Sequence, residues 1–173
     1  YNPAEFRYFV ENLFVLEWKI LGNGENFVYH HIDHFVPPDA VLHMTHQKLK
    51  KFLPADEERN LIVFLQRNSG SARSIFETEE LYKMFSNVAE KFGLEFEIHS
   101  DEKSVQDQMS LVHRAVALVG VHGAGFANMI FCQEETAIIE LGSYPAQASA
   151  FSRMASILDF PYYSVPSASF YIL

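Results

Sequence analysis

"LVGVHGAGFANMIF", residues Leu118 to Phe131, places a bare, glycine-rich loop between a continuous apolar run and a short apolar stretch. The chain has only 8 glycines in 173 residues, yet Gly120, Gly123 and Gly125 fall within six positions. Glycine lets the backbone come close to a neighbour or a ligand and adopts conformations that other residues avoid. "AVALVG" (115–120) has the composition of a strand buried on both faces, so the loop reads as a strand-to-helix turn. In a parallel sheet such turns lie at the carboxyl edge, where ligands bind. Backbone N–H groups, with the start of a short helix at 126–132, then favour an anion, most simply phosphate. The same loop without a ligand is a tight turn, and spacing alone leaves both readings open.

Outward from this loop the chain alternates. "LIVFLQ" (61–66), "LEFEI" (94–98), "AIIELG" (137–142) and "YYSV" (162–165) read as further strands. Between them, Leu81, Tyr82, Phe85, Val88, Ala89 and Phe92 mark one helical face, stopped by Gly93. Ser104 and Asp107 form a capping-box pattern ahead of Val105, Met109, Val112 and Val116. Phe151, Met154, Ala155 and Leu158 mark a last helix. Such alternation implies right-handed crossovers and an α/β fold: a Rossmann-like parallel sheet with helices on both faces, over residues 61–166. Residues 1–60 read as a linking segment or the remnant of an N-terminal domain. They open on a helix with Asn2, Pro3 and Glu5 at its start and Phe6, Phe9, Val10, Leu13 and Phe14 on one face. A second short helix is expected near 44–53, and residues 167–173 form a tail.

Composition narrows the function. A 49% hydrophobic content with 16 Phe and 8 Tyr supplies a sizeable core. The net charge of −9 argues against a broad nucleic-acid-binding face, which needs a basic patch, but not against a small phosphorylated ligand held by a few arginines. One cysteine, Cys132, rules out an internal disulfide framework and a multi-cysteine zinc site. No apolar run approaches the ~20 residues of a membrane span, and no secretory pattern opens the chain. A chain that starts at Tyr1 reads as a fragment, so any membrane anchor is expected outside it.

Several residues carry candidate chemistry. Arg67 and Arg73 follow the first strand of the alternating region, and paired arginines suit a diphosphate; solvated loop arginines are the plain alternative. His122 suits a phosphate donor, a catalytic group or a loop-ordering side chain. Asn128 suits a brace for the loop. Glu140 is a carboxylate inside a buried strand, where it would accept from a ribose hydroxyl or pair with a buried arginine. "YHHIDH" brings together His30, His31, Asp33 and His34, with His43 and His46 following. His30 and His34 have the spacing of a metal pair on a helix, against the commoner surface histidines. Asp33 and His34 alternatively face an acceptor.

"LIVFLQRNSGSARSIFETEEL", "EKSVQDQMSLVHRAVALVGVHGAGFANMIF" and "AIIELG" together resemble glycosyltransferase family 61, over about residues 60–145. That family includes plant xylan glycosyltransferases and an O-GlcNAc transferase of EGF domains. The resemblance implies an inverting GT-B glycosyltransferase of which this chain is mostly the nucleotide-binding C-terminal half. The donor is a nucleotide-sugar, usually UDP-linked, and a hexose or pentose passes to a protein or polysaccharide hydroxyl. No metal or other cofactor is implied, and the implied location is the Golgi or endoplasmic reticulum lumen. By position, Arg67 and Arg73 match the family's basic loop, and His122, Gly123, Ala124 and Gly125 its phosphate loop. Glu140 matches its strand-end acid. Val121 and Phe126-Ala127 depart from its usual proline and leucine-threonine, which changes loop shape. The catalytic base is unassigned, with Asp33, His34 and His122 as candidates. Two other classes stay open, an NAD(P)-dependent oxidoreductase and a non-catalytic domain that keeps the fold. The loop reads G-x-x-G-x-G rather than the dinucleotide G-x-G-x-x-G.

Overall fold

All five residues of Leu61–Leu65 are buried, as a strand covered on both faces requires. In the computed structural model, described over residues 39–54, 58–66, 78–100, 103–142 and 149–166, this strand is β1. It joins β2 (Glu95–His99), β3 (Ala115–Val121), β4 (Ala137–Leu141) and β5 (Tyr162–Val165) in one sheet ordered β2-β1-β3-β4-β5. Every neighbouring pair is parallel. The expected Rossmann-like fold is therefore present.

Helices cover both faces. α2 (Thr78–Lys91) packs Leu81, Tyr82 and Phe85 against Ile62, Phe64 and Val119. The opposite face carries α3 (Val105–His113), a 3-10 segment (Ala124–Phe131) and α4 (Ser149–Ile157). Its core joins Val63, Leu118 and Ile138 of the strands to Val112, Phe126, Met129 and Ala155. The chain leaves β1 towards β2 on one side, while β3 continues the sheet on the other. The switch point therefore lies between the carboxyl ends of β1 and β3, where an open α/β sheet opens a crevice.

Four expectations change in detail. α1 (Asp39–Leu49), with a 3-10 turn at Lys50–Phe52, starts earlier than the helix expected near 44–53. It also belongs to the sheet's core: Leu42 is buried there, and the His46 ring meets the Ile130 carbonyl at 2.7 Å. The division at 60/61 is thus not a boundary in the packing. Val88 and Phe92 are 39% and 68% exposed, because the inner face of α2 is centred on Leu81, Tyr82, Phe85 and Ala89. Val105 is exposed too, since α3 buries only Leu111, Val112 and His113 at its carboxyl end. The opening helix expected from Asn2 lies outside the described residues.

Candidate functional site

Gly120 lies in register with Leu65 on one side and Glu140 on the other. A Cβ at Gly120 would stand 2.8 Å from Leu65 Cβ and 3.2 Å from its carbonyl oxygen, so glycine is required by proximity. At Gly125 a Cβ would meet the Leu65 side chain at 3.7–3.9 Å, an ordinary contact. Gly123 has φ 171°, an extended conformation open to any residue. The first of these glycines thus brings β3 close to β1 just before the loop. Beyond the loop, the expected helix at 126–132 is a 3-10 segment beginning at Ala124, anchored by buried Phe126 and Met129.

His122 leaves the end of β3 and turns back onto the sheet. Its Nδ1 hydrogen-bonds Oε1 of Glu140. The Tyr162 hydroxyl donates to the other oxygen, Oε2. Glu140 has no exposed surface, so a bond at each oxygen is what its burial demands. Tyr162 begins β5 opposite Ile138, and its phenol reaches two residues along β4 to the carboxylate. Burial first, then the Glu140 contact, raises the Tyr162 ionisation well above that of a free phenol. The Phe151 ring of α4 packs 5.3 Å from the imidazole and 5.4 Å from Phe126, clamping His122 from the helix side. Further along the edge, Asn128 Nδ2 lies 3.4 Å from Nε2 of buried His99, the last residue of β2. Asn128 thus ties the 3-10 segment to the far strand. The carboxyl edge as a whole presents a glycine-bounded loop, a histidine fixed by a buried carboxylate, and the ends of β1 and β2 beside them.

The sequence model of glycosyltransferase 61 matches residues 20–139, more than half of the chain. The chain belongs to glycosyltransferase family 61. No curated protein matches it. The matched stretch runs from before α1 to the third residue of β4, so it covers the loop and His122 but stops short of Glu140 and Tyr162.

For this family 61 domain the structure places the sequence candidates unequally. His122, Gly123, Ala124, Gly125 and Glu140 come together at the carboxyl edge. Among the described residues Glu140 is bonded to His122 and Tyr162, and its carboxylate does not reach the surface. Arg67 and Arg73, like His30, His31, Asp33 and His34, lie outside the described residues; the chain holding both arginines leaves β1 at this same edge. His43 and His46 lie on α1, where His46 faces the core. Tyr162 and His99 were not singled out by the sequence, and Phe151 was read only as part of a helical face. Nothing in "YYSV" says which tyrosine faces a carboxylate one strand away. A cavity of about 570 Å³ bordered by Lys50, Arg59, His113 and Gln133 lies at the opposite, amino end of the strands. There both His113 ring nitrogens lie 3.0 Å from backbone carbonyls, of Phe131 and Pro54, so that histidine staples the base of the sheet. Cys132 is fully buried and its thiol is pushed up to about 12 by that burial, which leaves it inert at neutral pH.

Proposed function

We propose that this domain binds the diphosphate of a nucleotide-sugar, UDP-linked, at the loop from His122 to Gly125, in an inverting transfer to a protein or polysaccharide hydroxyl. The observation that carries this reading is the His122–Glu140 bond beside a glycine-bounded turn at the switch point of the sheet. It supplies a fixed imidazole and backbone N–H groups where an open α/β sheet receives phosphate. Arg67 and Arg73, on the segment following β1, add charge and bidentate donors to the same anion.

In the reaction the acceptor oxygen bonds the anomeric carbon as the bond from that carbon to the diphosphate breaks. The diphosphate leaves with the electron pair, and the acceptor proton passes to a base. His122 and the arginines stabilise the leaving group, the role that preorganised donors serve best. The base comes from Asp33, His34 or a part of the enzyme beyond this chain, because His122 is placed at the leaving group instead. Glu140 then serves the donor through His122 and not by direct contact. Cationic side chains and backbone dipoles carry the phosphate charge, so no metal ion is called for, and the location proposed is the Golgi or endoplasmic reticulum lumen. The nicotinamide alternative is less favoured because a 3-10 segment of 8 residues stands where the dinucleotide crossover helix would be.

Thermal-shift titration with UDP, GDP, NAD and NADP tests the donor class. UDP should stabilise the protein, with or without a chelator, and NAD should not. Release of UDP dependent on an acceptor hydroxyl tests the transfer. Stabilisation by NAD alone, or by UDP only in the presence of a divalent ion, would contradict the proposal.

A further inference from the structure

We infer that Tyr162 is a positioning residue for the donor site, acting through Glu140 to fix the orientation of His122 and the proton on its Nδ1. This inference rests on reading the loop from His122 to Gly125 as the diphosphate site. Three observations carry it.

Glu140 is fully buried and bonded at both oxygens, to His122 on the loop and to Tyr162 on the edge strand β5. The carboxylate therefore links two strands and the loop as one array. The Tyr162 phenol holds its proton through the whole neutral range, owing first to burial and then to Glu140, so it donates to the carboxylate. With Oε2 occupied, Oε1 is turned to the imidazole, and a carboxylate can only accept. Nδ1 of His122 therefore carries a proton, and Nε2 is the nitrogen turned to the donor site, where it donates to phosphate when it carries a proton as well. Phe151 limits rotation of the ring from the α4 side.

The consequence is specific. Removing the phenol frees Glu140 to rotate, and His122 loses its fixed bearing while the residue itself is unchanged. A pure packing role for Tyr162 would change stability alone. An array role changes the part of donor affinity that belongs to the diphosphate.

The test compares wild type, Tyr162→Phe and His122→Gln in the full-length enzyme, by isothermal titration with UDP and with uridine. NMR of the Nδ1 proton of His122 is read in parallel without ligand. Tyr162→Phe should fold, lose about 3- to 10-fold in UDP affinity and leave uridine unchanged. Its Nδ1 proton resonance should move upfield and broaden as the Glu140 bond loosens. Should Tyr162→Phe leave both the UDP-to-uridine ratio and the resonance as in wild type, the positioning role is overturned even when His122→Gln weakens UDP. Should His122→Gln leave the ratio untouched, the donor reading itself fails. A shifted resonance in Tyr162→Phe would still establish the array in that case, while removing its link to the donor. A Tyr162→Phe variant that weakens UDP and uridine equally marks a general loss of structure and overturns the inference as well.

Discussion

Glu140 stands among apolar neighbours in β4, and a carboxylate so placed must be bonded at both oxygens to offset its lost hydration. His122 and Tyr162 meet that need, which explains how a strand reading "AIIEL" tolerates an acid at its fourth position. Gly120, opposite Glu140, is fixed by a different cause, its approach to Leu65. Gly120→Ala should destabilise the domain by roughly 1–3 kcal/mol through overpacking, whereas Gly125→Ala should stay within about 1 kcal/mol. Urea denaturation of the two variants checks this; equal losses would mean that contact with Leu65 is not the reason for either glycine. His46 offers a pH test. Burial lowers its folded pKa from 6.5, outweighing the Ile130 carbonyl, so the folded state prefers the neutral ring. A depressed histidine contributes stability above the unfolded pKa, and that contribution falls away as the pH drops below about 6.5 towards the folded value. His46→Asn keeps a donor for the Ile130 carbonyl and removes the titration. The stability gap between wild type and this variant should therefore narrow from pH 7.5 to pH 5.5. A gap that stays constant would show that His46 does not titrate in that window.

At the scale of elements, the strands were the most legible part of the chain. β1 and β3 are continuous apolar runs, and burial on both faces leaves such runs little else to be. The start of α3 was legible as well. Ser104 Oγ accepts from the Asp107 N–H at 3.1 Å, and its hydroxyl bonds the Asp107 carboxylate at 2.6 Å. The acid thus meets the cap's hydroxyl in place of its backbone, as a shorter side chain than Glu would. Ser104→Ala should cost about 1 kcal/mol, and Ser104→Gly only a few tenths, measured by thermal or chemical unfolding. No loss with Ala would show that the cap is exchangeable for water. Other elements resisted. "AGFANMIF" has helical spacing but folds as a 3-10 segment, tied down by Phe126, Met129 and the Asn128–His99 contact. The α1 segment carries a weak pattern of its own, and His46 acquires its core role from the Ile130 carbonyl, 84 residues away.

Across the whole molecule, the order of strands and helices followed from alternation and handedness, so the sheet and its carboxyl edge were accessible before any coordinate. The site was accessible in part. The loop declares itself by its glycines, and Glu140 by being an acid in an apolar strand, but Tyr162 becomes a partner only through the β4–β5 register. Register depends on how a whole strand packs, which a local pattern does not encode. What unites the scales is the proposal that the loop from His122 to Gly125, held from behind by buried Glu140, and the arginines after β1 converge on one anion. That convergence is tested most directly by isothermal titration of UDP and uridine against wild type and Arg73→Ala. A charge-assisted hydrogen bond to phosphate contributes roughly 1.5–3 kcal/mol, so Arg73→Ala should lose about 10- to 100-fold in UDP affinity while uridine binds both proteins alike. UDP affinity unchanged by the substitution, or uridine weakened as much as UDP, would contradict a diphosphate site at this edge.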